Sequence, residues 1–131
     1  MKNTAIFLAL FLHTTLSAQP SIQWQKTFGG NNYDEAFNIK QTTDGSFIIA
    51  GSSASSSGDN TGNLGGDDFW VLKLDYTGSI QWKKALGGTG HEVALSVNQT
   101  IDGGFFLAGY SESDDHDVSG NHGGFYDGWV V

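Results

Sequence analysis

The 131-residue chain contains no cysteine, one proline and six basic residues against 14 acids; all six bases are lysines. Without cysteine there are no disulfides, thiolate metal sites or sulfur nucleophiles. With a formal net charge of -8 and no arginine, the chain lacks the basic patches that neutralise phosphate, which argues against a nucleic-acid partner. Long apolar runs are also missing, apart from Ala5 to Leu12, which is too short to span a bilayer comfortably. That run follows Lys2 and precedes a polar-to-small stretch ending at Ala18. Residues 1–18 therefore read as a signal peptide cleaved before Gln19, which makes the expected product exported, at the cell surface or secreted, with no membrane span left. Removal of Lys2 with that segment brings the net charge to -9.

Glycine and aromatic residues are plentiful instead. There are 19 glycines, and aromatics make up 13% of the chain, a composition of turn-rich β proteins and too apolar for disorder. The strongest signal is self-similarity. Residues 22–66 align with 80–124 at a constant offset of 58, with 21 of 45 positions identical. Ile22-Gln23-Trp24 returns as Ile80-Gln81-Trp82, Asp44-Gly45 as Asp102-Gly103, and Gly65-Gly66 as Gly123-Gly124. After one inserted residue, Trp70-Val71 returns as Trp129-Val130. A repeat of this size is a supersecondary unit that buries its core only against a neighbour.

Each unit resolves into short extended segments separated by turn signals. Ala36 to Thr42 runs into the Asp44-Gly45 hairpin turn, and Ser46 to Gly51 returns, apolar on both faces and so expected to be buried on both. A polar loop, 52–67, leads to Phe69 to Asp75; a turn at Tyr76-Thr77-Gly78 leads to Ser79 to Leu86. The second unit repeats the order from Ala94 to Thr100, through Phe105 to Gly109, to a strand near Gly128-Trp129. Ile22 to Phe28 matches the fourth segment of a unit. The predicted fold is all-β: tandem four-stranded antiparallel blades of a β-propeller, an incomplete set of about two, with repeat 1 at about 22–79 and repeat 2 at about 80–131. Propellers close with about 4–8 blades. The expected partners are therefore further blades of the same chain or other copies, and the chain reads as an N-terminal fragment.

The succession Trp-x-Lys-x-x-Gly-Gly, Ala-x-x-x-x-Gln-Thr-x-Asp-Gly, Ala-Gly, Gly-Asn-x-Gly-Gly and Trp-Val-x-Lys-Leu-Asp-x-x-Gly resembles repeats of large secreted Bacteroidetes proteins of β-propeller type. That resemblance covers residues 22–131. It implies a surface or secreted protein of the kind carried by type IX secretion. The implied role is a scaffold or binding module for a protein or glycan ligand. A polysaccharide-active propeller enzyme with catalytic residues outside this chain and a structural adhesin array are the alternatives.

One loop carries a candidate ligand set. Asp115-x-Asp117-x-Ser119-Gly120 matches the start of an oxygen-rich calcium loop, with Asn121 and Asp127 available to complete the shell, although position twelve is Tyr126 and not glutamate. No cofactor is expected; calcium is the one candidate the loop offers, with Asp115, Asp117, Ser119, Asn121 and Asp127 as its ligands, against the plainer reading of a glycine-rich turn with solvated acids. His116 and His122 flank the same loop. Asp34, Glu35, Glu92 and Glu112 are the acids available for glycoside chemistry, but Asp34-Glu35 and His91-Glu92 fall at corresponding repeat positions, which points to a shared structural role. The four tryptophans recur in equivalent pairs and are expected in the core between blades.

Overall fold

The computed structural model describes residues 20–131. The expected signal peptide, residues 1–18, lies outside them. The described chain is all-β and forms two antiparallel sheets. The first is a four-stranded meander of β1 (Asp34–Gln41), β2 (Phe47–Ser53), β3 (Asp68–Leu74) and β4 (Ile80–Leu86). The second has three strands, β5 (Glu92–Gln99), β6 (Phe105–Ser111) and β7 (Asp127–Val130), also in sequence order. The two sheets do not close into a ring. No helix among the described residues is long and apolar enough to cross a membrane.

The turns form where the Asp-Gly pairs stand. Gly45 and Gly103 take φ of +79° and +89°, the left-handed region open to glycine. In the first turn Gly45 N donates to Thr42 O (2.9 Å) and Thr42 N to Ser46 O (2.9 Å). Asp44 Oδ1 adds a bond from Ser46 N (3.0 Å) and another from the Thr42 hydroxyl. Thr100, Asp102 and Gly104 repeat the pattern. Both first strands also bulge at the same phase: the registers slip between Ala36 and Asn38 and between Ala94 and Ser96, leaving Phe37 and Leu95 as the extra residues.

Alternation along β2 and β3 gives the first sheet two apolar faces. Ile48, Ala50, Phe69 and Val71 pack against Ala94, Val97 and Leu107 of the second sheet, joined by Leu86, Phe105 and Trp129. The rings of Phe69 and Trp129 lie 4.6 Å apart at the centre of this interface. On the opposite face Ile49, Trp70, Leu72 and Leu74 form a second cluster, partly covered by Trp24, Phe28, Phe47 and Ile80. The expectation that β2 is buried on both sides holds for Ile48, Ile49 and Ala50.

The tryptophans do not share one place. Trp129 lies in the core between the sheets, Trp70 is buried in the opposite cluster, and Trp82 on the outer strand β4 is largely exposed. The Trp82 ring meets that of Phe105 at 5.9 Å, and as β4 is an outermost strand it has no further strand beside it. Ile22 to Phe28 is not a strand: it makes no ladder with either sheet. An extended segment becomes a strand only when a neighbour takes up its backbone groups.

Candidate functional site

The loops that leave β2, β4 and β6 gather at one end of the two sheets. Gly66 N donates to Gly90 O (2.8 Å), Asp117 N to Gly87 O (3.0 Å) and Glu112 N to His91 O (3.0 Å). A carboxylate network, repeated once per sheet, organises this end.

In the first copy Asp34, at the start of β1, accepts from Gly30 N (2.8 Å), from Ser55 Oγ (2.8 Å) and from the Ser53 hydroxyl. Ser53 Oγ in turn accepts from Ser55 N (3.1 Å). In the second copy Glu92, at the start of β5, accepts from Gly88 N (2.8 Å), Ser111 Oγ (2.7 Å) and Ser113 N (3.3 Å), while Ser111 Oγ accepts from Ser113 N (3.0 Å). The longer glutamate at 92 replaces the aspartate at 34 and keeps the corresponding partner residues, with the Ser113 N–H in place of the Ser55 hydroxyl. A second acid then fastens the preceding glycine. Gly29 N donates to Asp59 Oδ2 (3.1 Å) and Asp59 N to Gly29 O (2.9 Å); Gly87 N donates to Asp117 Oδ2 (3.3 Å) and Asp117 N to Gly87 O. A third acid caps the loop before the third strand: Asp68 Oδ2 accepts from Leu64 N (2.6 Å), and Asp127 Oδ2 from His122 N (2.5 Å).

The two copies meet at Asp68 and Glu92. Both are fully buried, and both crowd Gly87 so closely that a Cβ there would overlap Asp68 Oδ1 and Glu92 Oε2. Asp68 Oδ1 has no hydrogen-bond partner. Burial, and then the nearby charges of Glu92, Asp117 and Asp67, push the Asp68 carboxyl up to about 6, against the pull of the Leu64 N–H. Burial beside Glu92 thus favours the protonated form of Asp68.

The residues of the candidate calcium loop are divided among separate partners. Asp115 accepts from Thr89 N (2.9 Å) and Thr89 Oγ1 (2.9 Å), and these bonds hold its carboxyl below the usual carboxylate range. Asp117 is fastened to Gly87. Asn121 Nδ2 donates to Ser113 O (3.3 Å), and its Oδ1 accepts from Gly123 N (2.7 Å). Ser119, Asn121 and Asp127 do share one small cavity of about 60 Å³, together with Ser111 and Ser113. Asp115 and Asp117 point elsewhere. Among the described residues no group of three or more His, Cys, Asp or Glu side chains is placed to hold a metal ion. His122 Nδ1 lies 3.4 Å from Asp127, and His116 takes a positive φ of 54° in the loop's tight bend. Of the acids available for glycoside chemistry, Asp34 and Glu92 perform the same structural task in the two copies, as their repeat positions led us to expect. Motif reading placed Asp59 only in the first-unit equivalent of the calcium loop and missed Asp68 altogether. Asp59 carries a signal, since it stands 58 residues before Asp117; the one-residue insertion hides the match of Asp68 to Asp127.

Exposed aromatics surround the same end: Tyr33, Phe125 and Tyr126. Tyr126 packs edge-on against Tyr110 (ring centroids 4.6 Å), and the charge of the Glu112 carboxylate, followed by desolvation, raises the Tyr126 hydroxyl above its usual range.

No known family model matches this chain, and no curated protein matches it.

Proposed function

We propose that this chain is an exported β-propeller-type repeat scaffold, similar to the secreted Bacteroidetes repeat proteins, whose clustered loops bind a neutral glycan. The observation that carries the reading is the pairing of a rigid loop platform with exposed aromatic rings. The carboxylate network fastens the loops in the same way in both repeats. Tyr33, Phe125 and Tyr126 then stand exposed at the end so fixed. Exposed aromatic faces are costly to leave in water and suit the apolar faces of sugar rings, with polar loop groups available to the hydroxyls. The acidic balance of the chain disfavours anionic ligands and fits a neutral one.

A glycan array spanning neutral plant and bacterial polysaccharides tests the reading. Binding to a neutral glycan that falls about tenfold or more in Phe125→Ala and Tyr126→Ala is the expected result, in line with the share of binding that single aromatic anchors carry. Binding that is indifferent to both substitutions, or an array with no neutral glycan bound, overturns it.

A further inference from the structure

The interface between the two sheets is built from faces that recur in the repeat, and one example of each face is left unpaired. One face of the first sheet, Ile48, Ala50, Phe69 and Val71, packs on the inner face of the second, which includes Val97, Leu107 and Trp129. By the repeat, the positions matching Val97, Leu107 and Trp129 in the first sheet are Ile39, Ile49 and Trp70. Those residues line an apolar groove of about 360 Å³ that also includes Trp24, Phe28 and Leu72. The positions matching Ile48, Ala50 and Val71 in the second sheet are Phe106, Ala108 and Val130, on its outer face. Exposure follows pairing, not sequence. Val97 is 0% exposed and its counterpart Ile39 53%; Val71 is 2% exposed and its counterpart Val130 66%; Ile48 is 0% exposed and its counterpart Phe106 44%. The groove and the outer face are therefore the two halves of an interface like the one the molecule already makes once, with Gly128 standing at the place of Phe69.

The segment Ile22 to Phe28 adds a second line of evidence. Trp24 meets Phe47 with ring centroids 5.7 Å apart, and its repeat counterpart Trp82 meets Phe105 at 5.9 Å. Phe28 packs on the cluster at the groove as its counterpart Leu86 packs on the cluster between the sheets. The segment thus stands against the first sheet where β4 stands against the second. β4 has β3 beside it; among the described residues Ile22 to Phe28 has no strand beside it. The second sheet, conversely, has three strands and, among the described residues, no counterpart of β4 beside β7.

We propose that a second copy of this chain seats the outer face of its β5–β7 sheet in the groove, and that Ile22 to Phe28 pairs with the β7 of that copy as its fourth strand. The register follows from β3 and β4, where Phe69 faces Leu86 and Val71 faces Lys84. It places Gly128 of one copy opposite Phe28 of the other and Val130 opposite Lys26. The contact is head-to-tail, so each copy uses one groove and one outer face, and the assembly grows until a ring closes. This inference rests on the repeat-scaffold reading above, but association is measured independently of glycan binding.

Light scattering on the purified full chain, with far-UV circular dichroism to confirm β structure, gives the first test. A concentration-dependent dimer and larger species are expected. Ile39→Asp disables the groove and Val130→Asp the outer face. Each alone weakens association at least about tenfold, because a charge is buried without a partner. An equimolar mixture of the two restores a dimer and nothing larger. The second test uses the absence of native cysteine. Lys26→Cys with Val130→Cys forms intermolecular disulfides on mild oxidation, whereas Ser56→Cys with Val130→Cys does not. Within one copy the two cysteines stand on opposite sides of the first sheet, and stacked sheets are about 10 Å apart, too far for a disulfide to form inside one chain. A folded chain that stays monomeric, a mixture that fails to pair, or cross-linking equal in both cysteine variants overturns the proposal. A folded monomer that binds glycan overturns the assembly alone; an oligomer that binds no neutral glycan overturns the binding reading alone.

Discussion

Replacing Asp68 by asparagine separates the cost of a buried charge from the shape of the side chain. In the folded state the Asp68 carboxyl is raised from 3.8 to about 6, first by burial and then by Glu92. The folded protein therefore binds a proton at Asp68 more tightly than the unfolded chain does. Below about pH 3 the group is protonated in both states and costs nothing. Between about pH 3 and pH 6 the unfolded chain ionises first, so stability falls as pH rises through that window. Above it the penalty is constant. A shift of about two pH units at about 1.4 kcal/mol each puts it at up to about 3 kcal/mol. Asp68→Asn removes this penalty. Its oxygen still accepts from Leu64 N, and its amide N–H can point where the unpartnered Oδ1 now crowds Glu92. The variant is expected to be more stable than the parent by about 1–3 kcal/mol at pH 7.5 and equal to it within about 0.5 kcal/mol at pH 3, measured by urea unfolding with linear extrapolation. Taking the difference between variant and parent at each pH cancels the other acids, several of which shift the opposite way. A stability difference that is the same at both pH values refutes the reasoning, as does a variant less stable than the parent at pH 7.5.

Two further outcomes follow from the packing and the network. Phe69→Ala empties the centre of the interface between the sheets, where the ring is fully buried against Trp129, and is expected to cost about 3–5 kcal/mol in urea or thermal unfolding. Asp117→Ala removes the acceptor for Gly87 N and is expected to cost about 1–2 kcal/mol in calcium-free buffer containing chelator, with Asp117→Asn retaining part of the stability.

Much of the fold was legible because its signals are local. The Asp-Gly pairs place the hairpins, since glycine alone accepts the positive φ there without strain. Alternating and doubly apolar runs locate the strands to within about two residues of their observed limits. The acids at strand starts were read less well: β1 begins at Asp34 and β5 at Glu92, two residues before the expected Ala36 and Ala94. Acids are poor strand formers by themselves, and Asp34 and Glu92 are held in place by serines 19 to 21 residues away. The loop around Asp115 looked like one oxygen-rich ligand set because its acids alternate. In space Asp115 turns to Thr89 and Asp117 to Gly87, partners 26 and 30 residues away, while Asp127 caps His122.

By itself the sequence determined the repeat, its turns, the order of the strands and the apolar character of both faces of β2 and β3, because each depends on neighbours a few residues apart. Tertiary structure alone decided how the faces are shared. It is the packing of one sheet on the other that buries Val97 while leaving its twin Ile39 in water, that drives Asp68 and Glu92 into one buried site, and that leaves Ile22 to Phe28 extended but unpaired. Near-identical residues met different fates because burial depends on what stands opposite, and only the folded chain supplies that.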